Sequence, residues 1–597
     1  MSWSESAESV VATVTVTNSG NVAGKEVVQL YYSAPYTAGG IEKSSVALGD
    51  FAKTKSIEPG ESDTVTLEIF KKDMASYDYK GIKVENGGYV LEKGEYTLSI
   101  RENSHTLSTS DQATYPMHVG ADVLYTDNTT REDGDILLEK KGATNRFQDV
   151  SAIFKETRED GYGLVMSRKD FAGTYPTKPT EADCLAKQIS LSYVEDGKEV
   201  TRTVAAGLAS FDAGKDLLNA DAQMPTVGAS NGITFSNLRG VGYEEKIWDE
   251  FLDQLTEEDY ANAASVLNNG AYNTGAIESL GKPSTQDFDG PQGFSSLMGS
   301  TGCCAYCSEV VIASTFNRDL AKEMGVAIGE ESLVEANDLQ GWYGPALNTH
   351  RSPFAGRNFE YYSEDPVLAG KIACAVVEGA ADKGCYAYIK HFALNDTEVK
   401  RTTNNCTWAD EQTMREIYLK PFQYVVEHAV TEMKYIADTE GTVMTRRMPA
   451  CTAVMSSFNR IGTTWAGGSK ALMTEVLRDE WGFRGLVISD FNLYGYMDAD
   501  QGVRAGTDLQ LTWSFMKGNY ADTSSATARQ AIRGAYKNMC YTVVNSNRMQ
   551  GVAPGTAIVY SLAWWQIAII AFDLLAAVIV LGGIAWIVFS HQKAKTE

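Results

Sequence analysis

Two periods alternate along this chain. Thr13-Val14-Thr15-Val16-Thr17 and Thr64-Val65-Thr66-Leu67-Glu68-Ile69 switch between polar and apolar at every residue, as half-buried strands do. Asn18-Ser19-Gly20 and Glu58-Pro59-Gly60 supply turn chemistry between them, and Tyr96 to Ile100 is expected to close an all-β sandwich over residues 1–117. From 118 to 235 periodicity is weak, and Asp133-Gly134 and Tyr175 to Thr180 read as loop. We take this part as a connector of uncertain structure, wrapped on its neighbours.

From 236 to 548 the pattern changes. Glu244 to Leu255 and Ala409 to His428 carry helical spacing, and short apolar runs follow: Ala387-Tyr388-Ile389, Ala453-Val454-Met455 and Leu486-Val487-Ile488. Each run ends in polar residues, Lys390-His391, Ser456-Ser457 and Ser489-Asp490. Apolar runs of this length alternating with helices predict parallel strands, and several in about 300 residues favour a closed α/β barrel. Before the last run, Ser469 to Trp481 reads as a helix with a capping Ser469 and a Gly482 stop. The polar residues behind the strands then share the rim where barrel enzymes hold their chemistry.

The C-terminus follows a third pattern. Ile567 to Phe589 is apolar except for Asp573, ~34 Å of helix and enough to cross a bilayer. Trp564, Trp565 and Trp586 stand near its ends, and Lys593 and Lys595 follow. The expectation for 549–597 is a single-pass anchor in the cell membrane, with the barrel outside and the basic tail in the cytoplasm. Asp573 marks a partner helix or is tolerated on a lone anchor. Met1 to Val10 has neither the basic start nor the apolar core of a signal peptide.

A formal net charge of −25 speaks against nucleic acid as a partner, since like charges repel. Nine cysteines, irregularly spaced, make no disulfide framework. Cys303, Cys304 and Cys307 cluster, but no second cluster completes a metal site. They read as small buried residues. No metal and no cofactor is expected.

The rim candidates are Asp289, in the turn Asp287 to Pro291; Arg357, in Gly356 to Glu360; Lys390 and His391; and Asp490. Carboxylates beside fixed cations suit sugar hydroxyls, each of which donates and accepts. Taken singly, each has a structural reading: a turn or helix cap for Asp490, a barrel ion pair for Lys390, a core histidine for His391, a bridge to Glu360 or Glu364 for Arg357.

Together these stretches resemble glycoside hydrolase family 3, the β-glucosidases and their relatives. The resemblance rests on Pro345 to Pro353 with Gly356 to Pro366, on Lys390-His391-Phe392-Ala393-Leu394-Asn395, and on Glu480 to Gly485 leading to Ser489-Asp490. Asn18 to Tyr32 and Leu48 to Ile69 resemble the fibronectin-III-like module of that family. The resemblance implies a retaining hydrolase of oligosaccharide or aryl β-glycosides, with Asp490 as nucleophile. Asp289, Arg357, Lys390, His391 and Met455 would hold or line the sugar. Phe491 stands where the family usually has Trp and Phe458 where Tyr is common, which changes the pocket wall. In family members with glucosidase activity the acid/base comes from an α/β sandwich domain. Here the order of modules resembles the permuted members with that domain absent, so a separate sandwich domain or a dimer partner is expected to supply it. Glu398 is the competing candidate, and a membrane-anchored carbohydrate-binding protein without full catalysis is the alternative function.

Overall fold

The barrel is visible first in its backbone pairing. The computed structural model describes residues 1–133, 136–154, 165–175, 188–195, 198–205, 221–296, 301–334, 338–401, 405–517, 519–558 and 562–596. Gly134, the stretch 176–180 and Cys184 therefore lie outside the described residues. The chain divides into two units, 1–556 and 557–597.

Within the first unit, five parallel strands stand side by side in the order Asp287–Asp289, Gly341–Tyr343, Tyr386–Phe392, Ala453–Ser456 and Leu486–Ile488. Ile488 bridges in parallel to Leu509. Gly270 N–H and Ala271 N–H donate to the carbonyls of Gln510 and Thr512, while Asp287 N–H and Thr285 N–H donate to Tyr272 and Thr274. Those bonds close the ring. The segment 272–274 meets 285–287 as one arm of a hairpin, so it runs against its neighbour.

All seven residues of Tyr386–Phe392 are buried, as expected of a strand covered on both faces. Around the ring run Arg318–Ser332, Pro366–Ala381, Lys420–His428, Ala471–Glu480 and Ala526–Val544. Pro366–Ala381 shows why such helices start where they do: Asp365 accepts from Val367 N and Leu368 N at 2.9 and 3.0 Å, and Pro366 takes the first turn. Ser469 accepts from Leu472 N at 3.3 Å, and Gly482 has φ +74° just past the helix.

Residues 1–125 form two facing antiparallel sheets and a small third one. In Ser9–Thr17 the inward positions Val10, Ala12 and Val14 pack with Leu67, Ile69 and Leu98. Tyr96 to Ile100 does not close the sandwich. Gly94–Arg101 is an inner strand between Val27–Ser33 and Thr114–Val119, because the polar-rich Thr114–Val119 takes the edge. The connector is partly regular: Thr129–Asp133 pairs with Ile136–Lys140, and Gln188–Glu195 with Lys198–Ala205. Lys141 N–H donates to Asp479 C=O at 2.8 Å, which ties the first hairpin to the barrel.

The sandwich is joined to the barrel by buried charge. Asp50 accepts from Lys371 Nζ at 2.6 Å and pairs with Arg318. Arg415, 1 % exposed, donates to Glu411 at 2.9 Å, to Glu480 at 2.7 Å and to the Thr144 carbonyl at 2.8 Å, with Tyr77 against its guanidinium.

Among its described residues the second unit holds one helix, Trp564–Thr596. Its stretch Trp564–Gln592, 29 residues, is long and apolar enough to cross a membrane.

Candidate active site

Five of the expected groups, Asp289, Lys390, His391, Met455 and Asp490, come from strand ends of the ring, and rim loops bring the others in. Lys390 and His391 close the strand Tyr386–Phe392, and the following loop, 393–401, brings Glu398 and Arg401. The main chain here is held tightly. Leu347 N–H donates to Lys390 C=O at 2.6 Å, and Asn348 both accepts from His391 N at 2.9 Å and donates to its carbonyl at 3.0 Å. Asp490 follows Leu486–Ile488, and its N–H donates to Ser456 C=O at 3.0 Å.

The side chains converge. Lys390 Nζ lies 3.5 Å from Asp289 Oδ1 and 3.8 Å from Glu360 Oε2. Arg357 pairs through Nε with Glu360 and approaches Glu398 at 4.0 Å. Of the two partners open to Arg357 in the sequence, Glu360 is the one taken. His391 Nε2 is 3.8 Å from Asp490 Oδ2, and Tyr361 OH is 3.4 Å from His391 Nδ1. Asp289 holds its own turn through Gly290 N–H at 2.8 Å.

Asp490 is no helix cap. Its Oδ1 accepts from Phe491 N at 2.8 Å, while its Oδ2 is buried without a hydrogen-bond partner among the described residues. Glu360 Oε2 is in the same condition. Burial raises the Asp490 carboxyl above its ordinary range, against the pull of Arg357, Arg401 and Lys390. Burial and the same three cations hold His391 well below the usual imidazole value, so at neutral pH it is an uncharged ring. Burial also raises Glu398, opposed by Arg401 and Arg357 and reinforced by Asp490 and Glu360.

Phe458 and Phe491 share one apolar cluster with Trp465 and Met497, and the Arg401 guanidinium sits 4.5 Å above the Phe458 ring. Met455 is buried and in register with Ile488. The structure thus brings Asp289, Arg357, Lys390, His391 and Asp490 into one charged cluster, with Phe458 and Phe491 as its apolar flank.

Several members of this cluster carry no signal as single letters. Arg401 lies three residues past Glu398 and pairs with it at 2.8 Å. Asn348 and Tyr361 fix His391 from remote loops. Glu309, fully buried, has both carboxylate oxygens without a partner among the described residues. Burial pushes it well above the carboxylate range, with Glu360, Lys390 and Arg357 near enough to act on it.

One expectation fails. Cys304 and Cys307 are exposed and Cys303 is half-buried, because their loop runs over the surface before the helix Glu309–Ser314. Among the described residues no group of three His, Cys, Asp or Glu is arranged to hold a metal ion.

The model of the glycosyl hydrolase family 3 N-terminal domain matches residues 262–514, and that of the fibronectin type III-like domain matches 26–104. Over residues 262–514 the chain is thus similar to the family 3 glycosyl hydrolases. Similar proteins over most of the chain carry the name β-glucosidase. β-Glucosidase A of Butyrivibrio fibrisolvens is 34% identical over 515 residues, 85% of this chain and 54% of that protein. A β-glucosidase of Ruminococcus albus is 29% identical over 500 residues, 81% of this chain and 43% of that protein. The crystal structure of a β-glucosidase from Paenibacillus barengoltzii matches with a TM-score of 0.63 at 25% identity, over 94% of this chain and 56% of that one. The chain therefore spans about half the length of the curated relatives it matches.

Proposed function

We propose that this chain carries the sugar pocket and nucleophile of a retaining β-glucosidase. The observation that carries the reading is Asp490: a carboxylate at a barrel strand end, with one oxygen buried and unpartnered beside Lys390, Arg357 and neutral His391. A retaining glycosidase needs an ionised carboxylate under the anomeric carbon, and nearby cations favour that form. Asp490 attacks, the glycosidic bond breaks, and a covalent glycosyl-enzyme forms. Asp289 and Lys390 are assigned to the sugar hydroxyls, with Arg357 and His391 beside them. Met455 is assigned to the pocket lining, and Phe458 and Phe491 to its wall.

Proton transfer to the leaving group needs a second carboxyl about 5–5.5 Å from the nucleophile. Glu398 feels Asp490, yet Arg401 at 2.8 Å holds it as an ion pair, which opposes that role. We therefore assign the acid to a separate α/β sandwich domain or a partner subunit. For the 597-residue chain this sets two expectations. A dinitrophenyl glucoside, whose leaving group departs unprotonated, should glycosylate it, whereas cellobiose should be cleaved poorly. Efficient cellobiose hydrolysis by the purified chain would return the acid to its own residues.

The nucleophile is tested by a 2-deoxy-2-fluoro glucoside and intact-mass spectrometry. Wild type should gain one glycosyl unit, and Asp490→Ala should gain none while keeping its circular dichroism. Labelling that persists in the folded variant removes Asp490 from the role.

The apolar helix Trp564–Gln592 supports membrane anchoring, and the lysines beyond it support a cytoplasmic tail. Protease added to intact cells should then digest the barrel and spare a tag at the C-terminus.

A further inference from the structure

Glu309 is the first residue of the helix Glu309–Ser314, which packs on the turn Asn358–Glu360. Ile312 and Ala313 seat this helix in the barrel core, so apolar contact already fixes its place. The carboxyl of Glu309 needs another explanation. It is fully buried, and its two oxygens lack a hydrogen-bond partner among the described residues, with only an approach from the residue's own N–H. Burying a polar group in this way costs stability, which an apolar side chain of the same length would not.

Two nearby groups share its condition. Tyr362 OH and Glu360 Oε2 are also buried without a partner among the described residues, and both interact electrostatically with Glu309. Their bonding capacities match. Burial holds Glu309 in its acid form, which supplies an O–H donor; the phenol supplies a second, and Glu360 Oε2 can accept. Glu360 is also the hub of the rim. Its Oε1 pairs with Arg357, and its Oε2 lies 3.8 Å from Lys390 Nζ. A sugar hydroxyl that draws Lys390 to itself takes that cation from Oε2. A neutral donor beside Oε2 then keeps Glu360 and Arg357 in place, whereas an apolar neighbour offers nothing and an ionised one repels.

We infer that Glu309 is a positioning residue for the sugar site: its carboxyl holds Glu360, and through Glu360 the cations Arg357 and Lys390, in the arrangement that receives the sugar. The inference rests on the sugar pocket proposed above and deepens it. The test compares Glu309→Met with Glu309→Gln, side chains of equal length that differ in hydrogen-bonding capacity. Calorimetry with a glucose-type iminosugar on the full chain in detergent reads affinity, and urea unfolding reads stability. Glu309→Met should weaken binding about tenfold, the coupling expected between groups of one network. Its urea midpoint should stay level or rise, because the substitution removes an unpartnered buried carboxyl. Glu309→Gln keeps a donor and should bind within about threefold of wild type.

Wild-type affinity in Glu309→Met overturns the positioning role and leaves the sugar pocket standing. Equal losses in Glu309→Met and Glu309→Gln overturn it too, as does a fall in stability that accompanies the loss of binding in Glu309→Met, since Glu309 is then structural. An iminosugar that does not bind wild type overturns the pocket and this inference together.

Discussion

Two places in this molecule bury arginine against glutamate, and they are built to opposite ends. At the junction between sandwich and barrel, each carboxylate oxygen of Glu411 and Glu480 has a donor. Arg415 and the backbone N–H groups of Arg146 and Phe147 serve Glu411, and Arg415 with the Arg146 guanidinium serves Glu480. At the rim Arg357–Glu360 and Arg401–Glu398 are paired directly, but the other charges stand 3.5 to 4.0 Å apart, and Asp490 Oδ2 and Glu360 Oε2 lack a hydrogen bond among the described residues. A saturated network locks a geometry. An unsaturated one keeps bonding capacity for something that is not protein, at a cost to the fold. Burial and charge alone do not separate a structural cluster from a functional one. Saturation does.

The comparison breaks most sharply at the proposed nucleophile. Asp490→Asn removes the carboxylate assigned to attack but keeps the side-chain shape, so glycosyl-enzyme formation from dinitrophenyl glucoside should fall by at least about 10⁴-fold, the order found when a catalytic nucleophile is deleted. Stopped-flow release of dinitrophenol measures it. A loss below about tenfold would make the rim a structural cluster like the other.

The junction gives the converse. Arg415→Met leaves Glu411 and Glu480 buried without their shared cation, and unfolding in urea should lose about 3–5 kcal/mol. Below its melting range the variant should bind a glucose-type iminosugar as wild type does. If affinity falls with stability, the two clusters are one system.

The sequence shows these regions unequally. Leu486 to Ile488 could be read as a strand because β-branched residues follow a turn glycine, and Asp490 at its end because barrels keep polar residues there. Tyr386–Phe392 could be read only in its middle, since Lys390 and His391 interrupt the apolar run while the partners of His391, Asn348 and Tyr361, sit 43 and 30 residues away. The junction shows only the i,i+4 spacing of Glu411 and Arg415. Arg415 lies 65 residues from Glu480 and 271 from Thr144, separations no helical or strand period can reveal. The edge strand Thr114–Val119 is missed for a similar reason, since its pairing is decided by an available sheet edge.

A gentler probe is pH. Glu416, at the same junction, accepts from Tyr77 N at 2.6 Å and Gln412 Nε2 at 3.0 Å, and burial pushes it up to about 7 from its ordinary 4.5. The folded state therefore holds a proton that the unfolded chain releases at lower pH. Its contribution is complete below about pH 4.5 and is lost as pH rises through about 7. Glu416→Gln should flatten the stability curve across that window by on the order of 2 kcal/mol, read as the difference between wild-type and variant urea midpoints at successive pH. Parallel curves would mean that the junction does not sense this proton.

The smallest effect expected is the most diagnostic, because its sign is opposite to that of most mutations. The Asp490 carboxyl is raised by burial, so the folded state takes up its proton more readily than the unfolded chain. Its ionised form at neutral pH therefore opposes folding, and that penalty disappears as pH falls through the raised value toward the ordinary 3.8. Asp490→Asn removes the charge and should raise Tm at pH 7 by on the order of 2 °C. The gain should vanish in acid, where wild type is neutral as well. Scanning calorimetry of both proteins at pH 7 and near pH 4 decides it. Stability that is unchanged or lowered at pH 7 would mean that Arg357, Arg401 and Lys390 compensate Asp490 fully. The rim would then be as saturated electrostatically as the junction, and the contrast would have to rest on hydrogen-bond geometry alone.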